Sequence, residues 1–447
     1  MMPSGSDSSR LAAPGRSPAT LRTRGLLLLL LLGALFAANC LYLNTLQQRY
    51  GLFGVTDFSH HGWLVGRVLL GGGDPYNAQE WLRAHWTPEY EQEIGWAYAT
   101  GQIVNVFPTR PGQVYNPQHL SDFLYPLWMA VLFSPFALLP LFWALALFML
   151  VNEIGLLVGL WCACKILRFT PPWYGGLLLV LLAFGFRPTF FTLQEGAYGG
   201  LVFGALFGAI LLIQRRRAPW LVGALLAFCT IKLQVTLAVL IFVGLWLLTQ
   251  RRWTTVAWTA GWGFLLWGGP TLVWPGWISE WLQMTGLVSP VIFAQPTLWS
   301  LWVSIAGDAW WIVGLAVTAL LVGVLWRVWR ADLAGAGWDS LPLTVILGLL
   351  LAYYAWDYDH ILLLFPWLAC WVKVAIGESG SARLWRYGLM IWLLLVPLYI
   401  LLPLDPSYRG GYGLIVPVSL LMIYLLARRS SASILNVPRS NSQVVLG

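Results

Sequence analysis

Pro219–Leu248 reads PWLVGALLAFCTIKLQVTLAVLIFVGLWLL, a run whose sole charge is Lys232. Its apolar residues come in blocks, without the three-to-four rhythm of a half-exposed helix. A helix apolar on every side belongs in lipid. Leu26–Leu35, Leu177–Phe186 and Leu201–Ile213 repeat the pattern. Across 447 residues, 59% are apolar and 10% charged, against roughly 45–50% and about 25% in soluble domains. A soluble fold would have too few polar faces to show to water. The chain reads as an all-α integral membrane protein.

The net charge of +8 does not point to nucleic acid. Its cations sit in short breaks between apolar blocks: Arg10 to Arg24, Lys165/Arg168, Arg215–Arg217, Arg251-Arg252, Arg327/Arg330, Lys373 to Arg386 and Arg428-Arg429. Placed together in the cytoplasm, as the positive-inside rule asks, they predict about 12 transmembrane helices. A cytoplasmic tail is expected over 1–24, a polytopic domain over 25–427 with a long first external loop at 48–122, and a second cytoplasmic tail over 428–447. The tail from Ser430 is polar and reads as disordered. The block after Arg24 reads as an uncleaved span, because Asn39 in Ala37-Ala38-Asn39-Cys40 spoils the likeness to a cleavage site. All five cysteines lie in or beside apolar segments and read as packing residues.

Two excursions are short. Pro219 to Ile231 makes roughly 20 Å of helix against a hydrocarbon core of about 30 Å. Lys232 should therefore stop inside the outer half of the bilayer. Leu341 to Ala355 leaves Trp356–His360 similarly recessed. An ionisable group at that depth is costly unless it faces a cavity or a partner, so a cavity open to the outside is expected there. Over 123–164 the register needs an odd number of crossings, and Pro126, Pro135 and Pro140 mark a half-embedded first piece.

Several residues on the expected outer side have the types that chemistry needs. Asp57, flanked by Phe58 and the pair His60-His61, is either a general base for an acceptor hydroxyl or a solvated loop acid. Gly71–Tyr76 is a tight turn after a short helix from Trp63 to Leu70. Trp81 to Tyr98, with five Trp and Tyr residues among acids, reads as an amphipathic helix lying on the membrane surface. Lys232 suits a phosphate as a point charge, unless it snorkels from a helix end. Asp357, Asp359 and His360 have metal-ligand types but no distinctive spacing, so hydrogen bonding to phosphate or sugar is the better reading. No metal or other cofactor is expected.

These pieces together resemble a glycosyltransferase of the GT-C superfamily, and most closely family 87. The resemblance rests on Asp57, Gly73-Asp74-Pro75-Tyr76, Tyr125-Pro126 with Pro135 and Leu139-Pro140, Gln194-Glu195-Gly196, Ile231-Lys232 and Trp356–His360. It implies a cell-membrane enzyme, active on the outer face, that moves a hexose, commonly mannose, from a polyprenyl-phosphate donor to a lipid or glycan acceptor. Carried over by position, Asp57 is the catalytic base and Lys232 a ligand of the donor phosphate. His360, Asp357, Asp359, His60, His61, Gln194, Glu195 and Tyr76 are further substrate-binding candidates. The chain departs from the family pattern at Leu193-Gln194-Glu195-Gly196, often Gly-Gln-x-Asn, and at Leu233, often proline. It departs again where Tyr358-Asp359 stands in place of a histidine pair. A transporter or flippase for a polar lipid is the alternative, since intramembrane Lys and Asp also mark substrate paths. Against it stands the lack of an internal repeat.

Overall fold

Backbone groups that meet no water must pair within their own segment, so apolar runs of this length become helices. The computed structural model describes residues 18–50, 57–77, 80, 123–287, 296–306, 310–335, 337–375, 380–401 and 413–431. Among them every regular element is helical and none is a strand. Residues 1–17, the segment from Trp81 to Tyr98, the loop Asp405–Gly411 and the tail beyond Ser431 lie outside the described residues. The last helix, Ile415–Ser431, carries Arg428 and Arg429 within it, so helix continues into the stretch expected as tail.

Four described helices are long and apolar enough to cross a membrane, or five if the bent pair Trp173–Gly185 and Arg187–Gln194 forms one span. Helices of that length are fewer than the twelve or so expected crossings, because several apolar helices among the described residues are short. Between Pro126 and Pro140, Leu127–Phe133 and Ser134–Leu138 make a short helical piece, and Leu141–Ile166 follows at full span length. The four described Cys residues of the spans after the first are buried, and Cys40 is partly so.

The longest packed seam joins Leu141–Ile166 to Gly199–Gln214. Gly155 and Gly159 on one helix face Gly200 and Gly204 on the other, a spacing that lets backbones approach closely. A Cβ on Gly204 would stand 2.5 Å from the Gly155 carbonyl oxygen, and one on Gly200 the same distance from that of Asn152. The Asn152 side chain also accepts the Leu201 N–H at 3.3 Å. Early residues meet early and late meet late, so the two helices run parallel.

Pro219–Thr249 is helical almost throughout and passes by length as one span of 31 residues. It nonetheless doubles back. Gly223 packs against Trp258, where an added Cβ would lie 2.6 Å from the Trp258 backbone carbon. A straight rod would put about 39 Å between Gly223 and Thr249, beyond the roughly 32 Å that the nine residues onward to Trp258 can reach. The bend falls at Cys229–Lys232, a 3-10 turn after which Lys232 leaves helical geometry (φ −121°, ψ 58°). Trp267 Nε1 donating to Thr230 Oγ1 at 3.0 Å closes the same end. In this lysine hairpin, Arg215–Arg217 and Arg251-Arg252 come to one end of the bundle and Lys232 to the other. Gln250 Nε2 donates to the Leu333 carbonyl at 3.0 Å, which brings Arg330 to the basic end as well.

Candidate active site

At the end away from the basic turns, five segments converge. Asp57 opens a helical stretch that continues as the π-helical turn Ser59–Leu64. Its N–H donates to the Glu195 carbonyl, which fixes the acid against the turn between Gln194 and Gly199. Its Oδ2 accepts the Tyr125 hydroxyl at 2.7 Å, and its Oδ1 lies 3.5 Å from His61 Nε2, one helical turn on. The carboxylate retains a little exposure, at 10%.

Tyr125 is held from three sides. Its carbonyl accepts the Tyr76 hydroxyl at 2.9 Å, its ring packs edge-on against Tyr198 at 5.3 Å, and Pro126 caps the following helix. Tyr76 is set by the turn before it: Gly72 takes φ +77°, which favours glycine, and Asp74 Oδ1 accepts the Tyr76 N–H at 2.8 Å. Burial, followed by the charge of Asp57, pushes the Tyr125 phenol well above its ordinary range, so it stays a donor at neutral pH.

Behind Tyr125 lies Lys232. Its Nζ donates to Asp359 Oδ1 at 2.9 Å and sits 4.4 Å from the Tyr358 ring centroid and 5.9 Å from that of Tyr125. Among the described residues, a counter-ion stands where an open cavity was expected: Lys232 and Asp359 bury each other. The physical reason is the cost of an ionised group out of water, which a partner at bonding distance offsets. The acidic turn Asp357–Leu363 is a 3-10 helix, and its Asp359 Oδ2 reaches back to the Trp356 N–H at 3.0 Å. Asp357 Oδ2 accepts Arg187 Nη1 at 2.8 Å, and the Tyr358 carbonyl accepts the Thr192 hydroxyl at 3.1 Å. The two carboxylates of this turn thus hold one cation each, from two different segments.

His360 is fully buried, and neither ring nitrogen has a hydrogen-bond partner among the described residues. Gln194 ends its helix half-buried, with no side-chain bond among the described residues to this cluster. Glu195 contributes its carbonyl; burial first, then the charges of Asp57 and Asp357, raise its carboxyl to about 7. His60 lies on the π-helical turn, its side chain outside the described residues. The structure therefore joins Asp57, His61, Glu195, Tyr76, Lys232, Asp357 and Asp359 in one neighbourhood. Arg187 escaped the sequence reading, although a lone arginine after the apolar run ending at Phe186 carries the same signal as Lys232. Tyr125 drew notice as part of Tyr125-Pro126, without its bond to Asp57.

Beside Lys232 an open groove of about 620 Å³ runs between the lysine hairpin and the helices from Trp253 and Trp277, lined by Thr230, Leu233, Gly263, Phe264, Trp267 and Trp281 among others. Trp281 Nε1 donates to the Leu124 carbonyl at 2.9 Å, which ties the groove wall to the residue before Tyr125.

Helices apolar on all sides, closed around ionised groups at one end, define a membrane protein with recessed polar chemistry. A model of glycosyltransferase family 87 matches residues 123–353, just over half of the chain. The chain belongs to glycosyltransferase family 87 and is a membrane glycosyltransferase. Tyr125, Arg187 and Lys232 fall within the matched residues, whereas Asp57 and the acidic turn flank them. No curated protein and no solved structure matches the chain.

Proposed function

We propose that this glycosyltransferase moves a hexose, mannose by its family resemblance, from a polyprenyl-phosphate donor to a hydroxyl of a lipid or glycan acceptor, with inversion. Asp57 acts as the general base. The acceptor oxygen bonds to the anomeric carbon as the bond from that carbon to the phosphate oxygen breaks. The hydroxyl proton passes to the Asp57 carboxylate, and the bonding pair leaves with the polyprenyl phosphate. A single carboxylate acting opposite the leaving group is the logic of inversion. No acid is needed on the other side, because a phosphate monoester leaves as a stable anion.

The observation that carries this reading is the reach of Tyr125, which bonds Asp57 through its hydroxyl and flanks Lys232 with its ring. A base and a cation thereby share one neighbourhood, as a proton acceptor and a phosphate ligand should. An ammonium has three donors; Asp359 engages one, and the others remain for a phosphate entering beside the rings. The groove next to Lys232 gives the isoprenoid tail an apolar bed. With the basic turns in the cytosol, the site faces outward; Gly199–Gln214 rises about 24 Å from those turns, so the chemistry sits below the outer surface. The count of about twelve crossings belongs to this reading, each arm of the lysine hairpin counting once. The donor is a substrate, and no metal has a part, since each acid of the acidic turn already holds a cation.

Membranes containing Asp57→Asn, given radiolabelled polyprenyl-phosphate mannose and a membrane lipid extract, should transfer no label although the protein inserts normally. Near-normal transfer would eliminate Asp57 as the base.

A further inference from the structure

We propose that Tyr125 is a positioning residue of the transfer reaction, which orients the Asp57 carboxylate and sets how readily it takes the acceptor proton. This inference rests on the reading of Asp57 as base. The geometry assigns the two carboxylate oxygens different tasks. Oδ2 is occupied by the Tyr125 hydroxyl, while Oδ1 lies on the His61 side. The acceptor proton therefore arrives at Oδ1, on a carboxylate whose rotation is stopped by the phenol.

Tyr125 is placed for this by separate contacts at its hydroxyl and at its backbone. A buried tyrosine needs one hydrogen-bond partner for its hydroxyl. Here that partner is the acid, and the backbone of Tyr125 is separately held by Tyr76 from the Gly71–Tyr76 turn. The turn, the tyrosine and the acid form one line of support from the external loop to the base. A phenol donating to a carboxylate favours its charged form. Tyr125 thus holds the Asp57 carboxylate aimed through its Oδ2.

The groups that face Asp57 are known from each packed element. His61 lies on its own helical stretch; Glu195 and Tyr198 approach from the turn after Gln194; Tyr358 and Asp359 act from the acidic turn, with Lys232 bonded to Asp359. Removing the Tyr125 hydroxyl leaves all of these in place, so a change in the pH profile reports on the lost bond.

The test uses the full-length protein in membranes, with radiolabelled polyprenyl-phosphate mannose and a membrane lipid extract, across a pH series. Tyr125→Phe should lower kcat roughly ten-fold with KM for the donor within about two-fold. The acid limb of its profile should move up by about one pH unit, the size expected for a hydrogen bond to a charged group. Fluorotyrosine at position 125, a stronger donor of nearly the same shape, should move that limb down. A Tyr125→Phe profile that superimposes on the parent, or a loss wholly in KM, overturns the proposal. Should Tyr125→Phe fail to fold, an unmoved limb in the fluorotyrosine protein overturns it equally. Asp57→Asn separates the two levels. If it is inactive while Tyr125→Phe is unshifted, only the role of Tyr125 falls. If it turns over normally, the base assignment and this inference fall together.

Discussion

Lys232 and Asp359 form a salt bridge of 2.9 Å with side chains 2% and 1% exposed. The pair bolts the bend of the lysine hairpin to the acidic turn, two segments 127 residues apart. Breaking a buried pair by removing one partner leaves an uncompensated charge, at about 3–5 kcal/mol. Lys232→Met and Asp359→Asn should each lower the melting temperature in detergent sharply. Combining them removes both charges and should restore most of the stability, because a neutral pair leaves no buried ion. Transfer should stay absent in the combined protein, since the phosphate would have lost its cation. Recovered transfer there would reduce Lys232 to a structural residue.

Glu195 makes the fold sensitive to pH. Its carboxyl rises from the ordinary 4.5 to about 7, through burial first and then the charges of Asp57 and Asp357. The raised folded value means that the folded protein keeps a proton the unfolded chain has released. Its contribution is therefore present below about pH 4.5 and is lost as pH climbs through about 7. Glu195→Gln should remove this dependence. The melting temperature of the parent, followed from about pH 5 to 8, should fall more steeply than that of the variant. Parallel curves would exclude Glu195 as the titrating group.

Much of this was legible in the sequence, and the part that was not has a physical reason. Continuous apolar blocks announce helices in lipid whatever their neighbours, so the class of fold follows from Leu26–Leu35 or Val235–Leu248 alone. Lys232 stood out because a charge in such a run is costly, and its place at the bend followed from the basic turns on either side of the run. Its partner did not follow. Asp357 and Asp359 alternate in the chain, and nothing local says which of them faces Lys232 and which faces Arg187. The expected cavity gave way to Asp359 for the same reason: a cavity and a counter-ion solve the same electrostatic problem, and only the packed structure chooses. The bond from Tyr125 to Asp57 spans 68 residues, a separation that no periodicity reports.

Gly204 tests whether the glycine seam sets the site. The helix it belongs to begins just after the turn that receives the Asp57 N–H, so its seating against Leu141–Ile166 fixes that turn. A Cβ there would meet the Gly155 carbonyl at 2.5 Å, backbone that cannot step aside, whereas at Gly208 the nearest atom is a Leu225 methyl at 3.6 Å. Gly204→Ala should cost about 1–3 kcal/mol through overpacking and should depress transfer. Gly208→Ala should be tolerated with normal activity. Thermal unfolding and transfer assays on the two proteins check this, and equal behaviour would show that the helices are free to separate.

The groove makes the last prediction, about the tail of the donor. Gly263 lines it, and a Cβ there would have no atom within 4 Å, so a large side chain at this position would occupy the space without disturbing the helix. Gly263→Trp should raise KM for a long-chain polyprenyl-phosphate sugar by roughly ten-fold or more, as expected when apolar burial of several methylenes is lost. Turnover at saturation should change little, because a tail lying in the groove would be contacted equally before and during transfer, and such uniform binding enters KM alone. A donor with a tail too short to enter the groove should be used equally well by both proteins. Loss of turnover with both donors would mean that the added indole had displaced Trp267 from Thr230, and with it the bend that carries Lys232.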